Sequence, residues 1–178
     1  MIQGMYPIQK PSRSEFVPIR HLSYHVLQWG TPSPDKTPLV MVHGWMDVAA
    51  SFQFVIDALQ DDHWVIAPDW RGFGLTETPH TDNFFFPDYL ADLDQLLDHY
   101  VGERQINLLG HSMGGHVATM YAGIRPERIQ TLINLEGFGM PATRPAQAPS
   151  RLAQWMDELK ALQQGDMDLK PYPSQEAV

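Results

Sequence analysis

The sequence predicts an α/β fold, a mostly parallel central sheet flanked by helices. Short apolar runs ending in glycine or turn residues alternate with helical periodicities of roughly 10–15 residues, the order expected of βαβ units. Apolar residues make up 43% of the 178 positions and charged residues 19%, a balance that supports a packed core rather than wholesale disorder. There is no cysteine, which excludes a disulfide scaffold, a thiolate metal site and a cysteine nucleophile.

The elements follow in chain order. FVPIRHLSYHVLQWG (16–30) reads as one or two half-buried strands, closed by Gly30 and the turn cluster TPSPDKTP. PLVMVHG (38–44) is a short apolar run ending in glycine, as in a strand buried on both faces. A helix is expected over 48–60, with Phe52, Val55, Ile56 and Leu59 on one face. HWVIAPDW (63–70) is a second buried strand, and RGFGLTETPHTDN is a loop. Pro87 stands at a helix start, with Leu90, Leu93, Leu97 and Tyr100 as the apolar stripe. QINLLGHS (105–112) is a strand, 112–127 a helix ending before Pro126, and IQTLINLEG (129–137) a further strand.

After Gly139 prolines recur at 141, 145 and 149, and the organisation changes. Residues 1–139 are expected to form the core, and 140–178 read as a linker or excursion rather than sheet. Its helix, at 150–164, would bury Leu152, Trp155, Met156, Leu159 and Leu162. Near the terminus Ser174 suits an N-cap and Glu176 the first turn after it, so a further helix is expected to begin there.

Net charge is −9, and residues 35–103 carry thirteen Asp or Glu against only Lys36 and Arg71. Such a surface repels phosphate backbones, so no nucleic-acid partner is expected. The first residues lack the apolar stretch of a secretory signal, and no run approaches the ~20 apolar residues of a membrane span. A cytoplasmic protein without membrane attachment is the expectation. Asp88, Asp92, Asp94 and Asp98 share one helix and read as a solvated acidic face rather than a metal site. Phe84, Phe85 and Phe86 read as loop residues packing on the core.

The chemistry centres on Gly110-His111-Ser112-Met113-Gly114, a G-x-S-x-G motif followed by Gly115. An apolar strand enters it and a helix leaves it, the setting of a nucleophile elbow. The flanking glycines leave room for a strained turn that holds the hydroxyl clear of the sheet. The helix start aims its amides at an oxyanion formed there.

Two further blocks precede the elbow: His43-Gly44-Trp45-Met46 and Asp69-Trp70-Arg71-Gly72-Phe73-Gly74. With all three in order, residues 16–139 resemble the α/β-hydrolase fold, in its esterase and epoxide-hydrolase-like branch. The resemblance implies Ser112 as nucleophile, with the main-chain N–H groups of Trp45 and Met113 forming the oxyanion hole. His43 and Gly44 would shape the supporting loop, Asp69 and Arg71 would hold loop geometry, and 140–178 would open the family's helical lid. The triad acid would be Glu136, ending the strand at the sheet's sixth position, or a residue after a seventh strand, beyond 178. The nucleophile is serine rather than aspartate, which disfavours dehalogenase and epoxide-hydrolase chemistry.

A serine needs a histidine to take its proton, and in this fold that histidine follows the last strand. The eight histidines stand at 21, 25, 43, 63, 80, 99, 111 and 116, none of them beyond the acid position. The expectation is therefore a serine hydrolase acting on a carboxylic ester or similar small carbonyl substrate, with no cofactor and no metal, whose base lies outside this chain. Residues 130–135 would then pair with a strand from a second polypeptide or a missing C-terminal segment, and the chain alone would be inactive. The alternative is a non-catalytic ligand-binding protein on a hydrolase scaffold.

Overall fold

A computed structural model describes residues 6–78, 80, 84–139 and 142–164. The expectations for Ser174 and Glu176 lie outside those residues. The chain divides into two compact units, one ending at Gly139 and one beginning at 140.

The first unit is built on a six-stranded sheet in the order β1-β2-β4-β3-β5-β6. The segment 16–30 is the hairpin of β1 (Arg13–Ile19) and β2 (Leu22–Trp29), reversed at Arg20 with φ 54°. β2 also runs antiparallel to β4 (Val65–Pro68). The pairings of β3 (Leu39–Val42) with β4 and β5 (Ile106–His111), and of β5 with β6 (Ile129–Leu135), are parallel. The chain builds the sheet one way from β3 to β4, then crosses back to β5 and β6. The reversal opens a crevice at the C-terminal ends of β3 and β5, where sites form in such sheets.

Both faces of the sheet are covered, which explains the continuous apolar runs. Val40, Val42, Ile66 and Leu108 pack on one side against Leu93, Leu97, Val117 and Tyr121. Met41, Val65, Ala67 and Leu109 pack on the other against Phe52 and Ile56.

The helix expected at 48–60 is shorter. A 3₁₀ turn, Ala49–Phe52, leads into α1 (Gln53–Ala58), and Leu59 is already extended at ψ 131°. Phe52 and Ile56 are buried, whereas Val55 faces solvent. The start is fixed by Asp69, whose Oδ1 accepts the Ala49 N–H at 2.7 Å.

α2 (Pro87–Val101) begins at its proline but is turned by about one position. Its inner face is Tyr89, Asp92, Leu93, Leu96, Leu97 and Val101. The acidic-face reading is thereby corrected, because Asp92 is wholly buried. It accepts from Arg71 Nε at 2.6 Å and Nη2 at 2.8 Å, from Arg20 Nη1 at 3.1 Å and from the Tyr24 hydroxyl. Burial first, and then the Asp92 charge, raise the Tyr24 pKa above its ordinary value, so the phenol keeps the proton it donates. Asp88, Asp94 and Asp98 lie toward solvent and bond to Arg20, Tyr121 and Arg128. Of the three phenylalanines, Phe86 packs on the core, Phe84 lies over Gly72, and Phe85 is exposed.

α3 (Met113–Ile124) follows β5 directly. In the second unit, α4 (Ala148–Gln163) buries none of its side chains. Its expected inner face, including Leu152, Trp155 and Leu159, is exposed. The described part of that unit offers only a 3₁₀ turn, Pro145–Gln147, for it to pack on.

Removing one member of a buried ion pair strands the other charge. Asp92→Ala is expected to lower stability by about 3–5 kcal/mol in urea unfolding. Asp98→Ala, whose carboxylate is largely exposed, should cost about 1 kcal/mol or less.

Candidate active site

The site is assembled at the β3/β5 crevice. Ser112 joins β5 to α3 at φ 51°, ψ −116°, a conformation that costs a non-glycine residue about 1–3 kcal/mol and needs outside support. Its N–H donates to the Leu135 carbonyl at 2.8 Å, and its own carbonyl accepts from the His116 N–H at 3.0 Å. The elbow is thus tied to β6 on one side and to the first turn of α3 on the other.

The helix approaches the sheet closely because position 114 has no side chain. A Cβ there would fall 2.3 Å from the Val42 carbonyl oxygen and 2.5 Å from that of His43. Gly44 completes the approach, since a Cβ on it would lie 3.1 Å from Ser112 Cβ. The structure therefore brings Gly44, Trp45, Ser112 and Met113 together. Among the described residues the main-chain N–H groups of Trp45 and Met113 donate no hydrogen bond, so both remain open to an acceptor. The Trp45 ring packs edge-on against Phe73 at 5.2 Å, yet Trp45 is 61% exposed.

His43 is fully buried, and both its ring nitrogens are engaged. Nε2 accepts the Trp70 N–H at 2.9 Å and Nδ1 donates to the Gly44 carbonyl at 2.8 Å. The Trp70 indole N–H in turn donates to the His43 carbonyl at 3.0 Å. Burial depresses the His43 pKa, and only part of that is offset by its bond to Gly44 and by the Asp69 and Asp47 charges. It is a neutral strut between two loops.

Asp69 performs similar work one residue earlier. Besides Ala49 it binds the Leu75 N–H at 2.9 Å and His25 Nδ1 at 2.7 Å through Oδ2. Gly74 makes this possible: at φ +55°, a Cβ there would lie 2.1 Å from that same oxygen.

Glu136 follows β6 at φ 61°. The pairing of His111 with Leu135 sets Ser112 and Glu136 level on adjacent strands. Glu136 is exposed, and its carboxylate makes no hydrogen bond among the described residues. The turn holding it is built by Asn134, which the sequence reading passed over. Its Oδ1 accepts the Gly137 N–H at 2.6 Å, and its Nδ2 donates to the Gly137 carbonyl at 3.0 Å. An asparagine three residues before a glycine at a strand end was the available signal.

The two histidines beside the elbow point elsewhere. His111 Nδ1 lies 3.9 Å from the Asp47 carboxylate, and the His116 ring stacks on Phe86 at 5.0 Å. Among the described residues no histidine hydrogen-bonds the Ser112 hydroxyl.

A strained serine between a central strand and a helix, beside a glycine loop, defines a class. Residues 37–170 match the family model described as alpha/beta hydrolase fold. The chain belongs to the α/β-hydrolase fold family. A serine hydrolase-like protein of Danio rerio is 33% identical over 116 residues, 65% of this chain and 35% of that protein. Cis-3-alkyl-4-alkyloxetan-2-one decarboxylase of Shewanella oneidensis is 35% identical over 112 residues, 61% of this chain and 35% of the enzyme. The crystal structure of a hypothetical protein from Pseudomonas aeruginosa superposes with a TM-score of 0.76 at 28% identity. That match covers 92% of this chain and 56% of the other. The chain spans about a third of the length of the curated relatives it matches.

The His43 shift carries a pH dependence. An unfolded imidazole takes up a proton below about pH 6.5, while the buried ring resists to lower pH. In that interval unfolding binds a proton, so stability is complete above about pH 6.5 and declines as pH falls. Urea midpoints between pH 7.5 and 5 should drop less steeply in His43→Gln than in the parent protein.

Proposed function

We propose that the chain carries the nucleophile and oxyanion half of a serine hydrolase acting on a carboxylic ester or related carbonyl compound. The observation that supports this most directly is Ser112 itself, held at positive φ between β5 and α3 with two free amides beside it. Ser112 Oγ attacks the carbonyl carbon, and a histidine from outside this chain takes the hydroxyl proton. The Trp45 and Met113 N–H groups receive the oxyanion, which in comparable sites is worth about 3–4 kcal/mol per donor. The histidine returns the proton to the departing alcohol, and water then releases the acyl group. Glu136, level with Ser112 on the neighbouring strand, is the carboxylate that orients the histidine. His43 and Gly44 set the loop that presents the Trp45 amide.

The base comes with a further strand along residues 130–135, supplied by a second polypeptide or a C-terminal segment. Support lies in β6 as the outermost strand of the described sheet, with Leu132, Ile133 and Leu135 each 37–43% exposed. Apolar strand edges of this kind are normally covered.

The second reading, a ligand-binding protein on the same scaffold, is favoured by one observation: no described histidine reaches Ser112. The two readings separate experimentally. In protein expressed from its complete gene, a fluorophosphonate should modify Ser112, located by peptide mass mapping, and Ser112→Ala should lose that adduct. An active preparation without it defeats the proposal. Glu136→Gln should lower kcat by about 10²–10⁴-fold with little change in KM; an unchanged kcat removes Glu136 from the triad. The covered edge has its own readout. Both alternating sets of amides in 130–135 should be protected from hydrogen exchange, whereas a bare edge protects only one.

A further inference from the structure

At the opposite edge of the sheet from β6, Ser14 on β1, His25 on β2 and Asp69 after β4 form a hydrogen-bonded row. Ser14 Oγ lies 2.8 Å from His25 Nε2, and His25 Nδ1 lies 2.7 Å from Asp69 Oδ2. The chemistry of the buried end sets the direction of the His25–Asp69 bond. Asp69 Oδ2 already accepts the Leu75 N–H, and Oδ1 that of Ala49, so the carboxylate is the acceptor and His25 Nδ1 the donor. In the neutral ring Nε2 carries the lone pair, and the Ser14 hydroxyl donates to it. This is the tautomer and orientation a histidine needs to take a proton from a serine.

The ring cannot swing away. His25 is 5% exposed, its N–H donates to Thr76 Oγ1 at 2.9 Å, and its carbonyl accepts the Asp69 N–H at 2.9 Å. Ser14, by contrast, is exposed. Beside His25 and Asp69 opens a hollow of about 290 Å³, walled by Val48, Ala50, Gly74 and Leu75. Its lining suits a small apolar acyl group. Three strands separate β1 from β5, so at about 4.8 Å per strand Ser14 stands some 19 Å across the sheet from the Ser112 strand.

We propose that Ser14 is a second nucleophilic serine, activated by His25 and Asp69 and acylated by small activated esters independently of Ser112. Ser14 Oγ forms its bond to the carbonyl carbon while its proton passes to His25 Nε2. The ester C–O bond then breaks, and the leaving alkoxide takes that proton and departs as the alcohol. Acyl-Ser14 and a neutral imidazole remain.

The test is p-nitrophenyl acetate on the full chain carrying Ser112→Ala, with acetylation sites mapped by peptide mass. Ser14 is expected to be acetylated at least tenfold faster than the exposed Ser150 in the same digest. His25→Gln, shown folded by circular dichroism, should bring Ser14 down to the Ser150 rate. Should that variant not fold, the parent in 6 M urea serves the same purpose, since the ratio must collapse toward one when the row is broken. Equal acetylation of Ser14 and Ser150 in the native chain overturns the proposal, as does a ratio that persists in folded His25→Gln or in urea. Because the adducts are mapped separately, the outcome at Ser14 does not depend on whether Ser112 is reactive.

Discussion

The buried carboxylate of Asp69 fixes the loops on which the crevice depends. It stands at the end of β4, and its oxygens collect donors from Ala49, Leu75 and His25, joining the loops after β3 and β4 to the hairpin. The next two residues extend the same function. The Trp70 main chain meets His43, and the Arg71 guanidinium meets Asp92 on α2. Three consecutive side chains or amides thus connect four parts of the chain. A buried carboxylate with this many partners is costly to disturb, because losing one partner leaves the others desolvated and unsatisfied.

The geometry around Ser112 follows from that anchoring. The loop carrying Trp45 is held by His43 on one side and Asp69 on the other, so its amide is positioned before any ligand arrives. In the proposed reaction, donors preorganised in this way would stabilise developing charge without reorganising. The helix contributes its first turn only because Gly114 lets it rest against the β3 carbonyls. Close approach of backbone to backbone, rather than a set of polar side chains, shapes the surroundings of Ser112.

Much of this was legible in the sequence. The strand at 39–42 and the helix beginning at Pro87 followed from apolar periodicity and punctuation, because burial on two faces leaves an uninterrupted apolar run. The three motif blocks located the crevice. Asp92 was not legible as a buried residue, since a lone carboxylate on a helix reads as solvent-facing. Only its position three after Tyr89 and four before Leu96 marks the inner face. Its partner Arg71 is 21 residues away, and such pairs have no local signature. The Ser14–His25–Asp69 row spans three strands and was invisible for the same reason. α1 was overestimated because a tertiary bond from Asp69 to Ala49 tightens its start, overriding helix propensity.

The backbone at Ser112 has a consequence for how this sequence can drift. A serine at φ 51° is less stable there than glycine would be, by about 1–3 kcal/mol. A single-codon replacement by glycine would relax that strain and leave the sheet intact. For a chain with no use for that hydroxyl, such a change would be a thermodynamic gain. Ser112 stands at the one position of the elbow where a side chain is conformationally expensive. Stability alone does not account for its presence; the nucleophilic role proposed for its hydroxyl does.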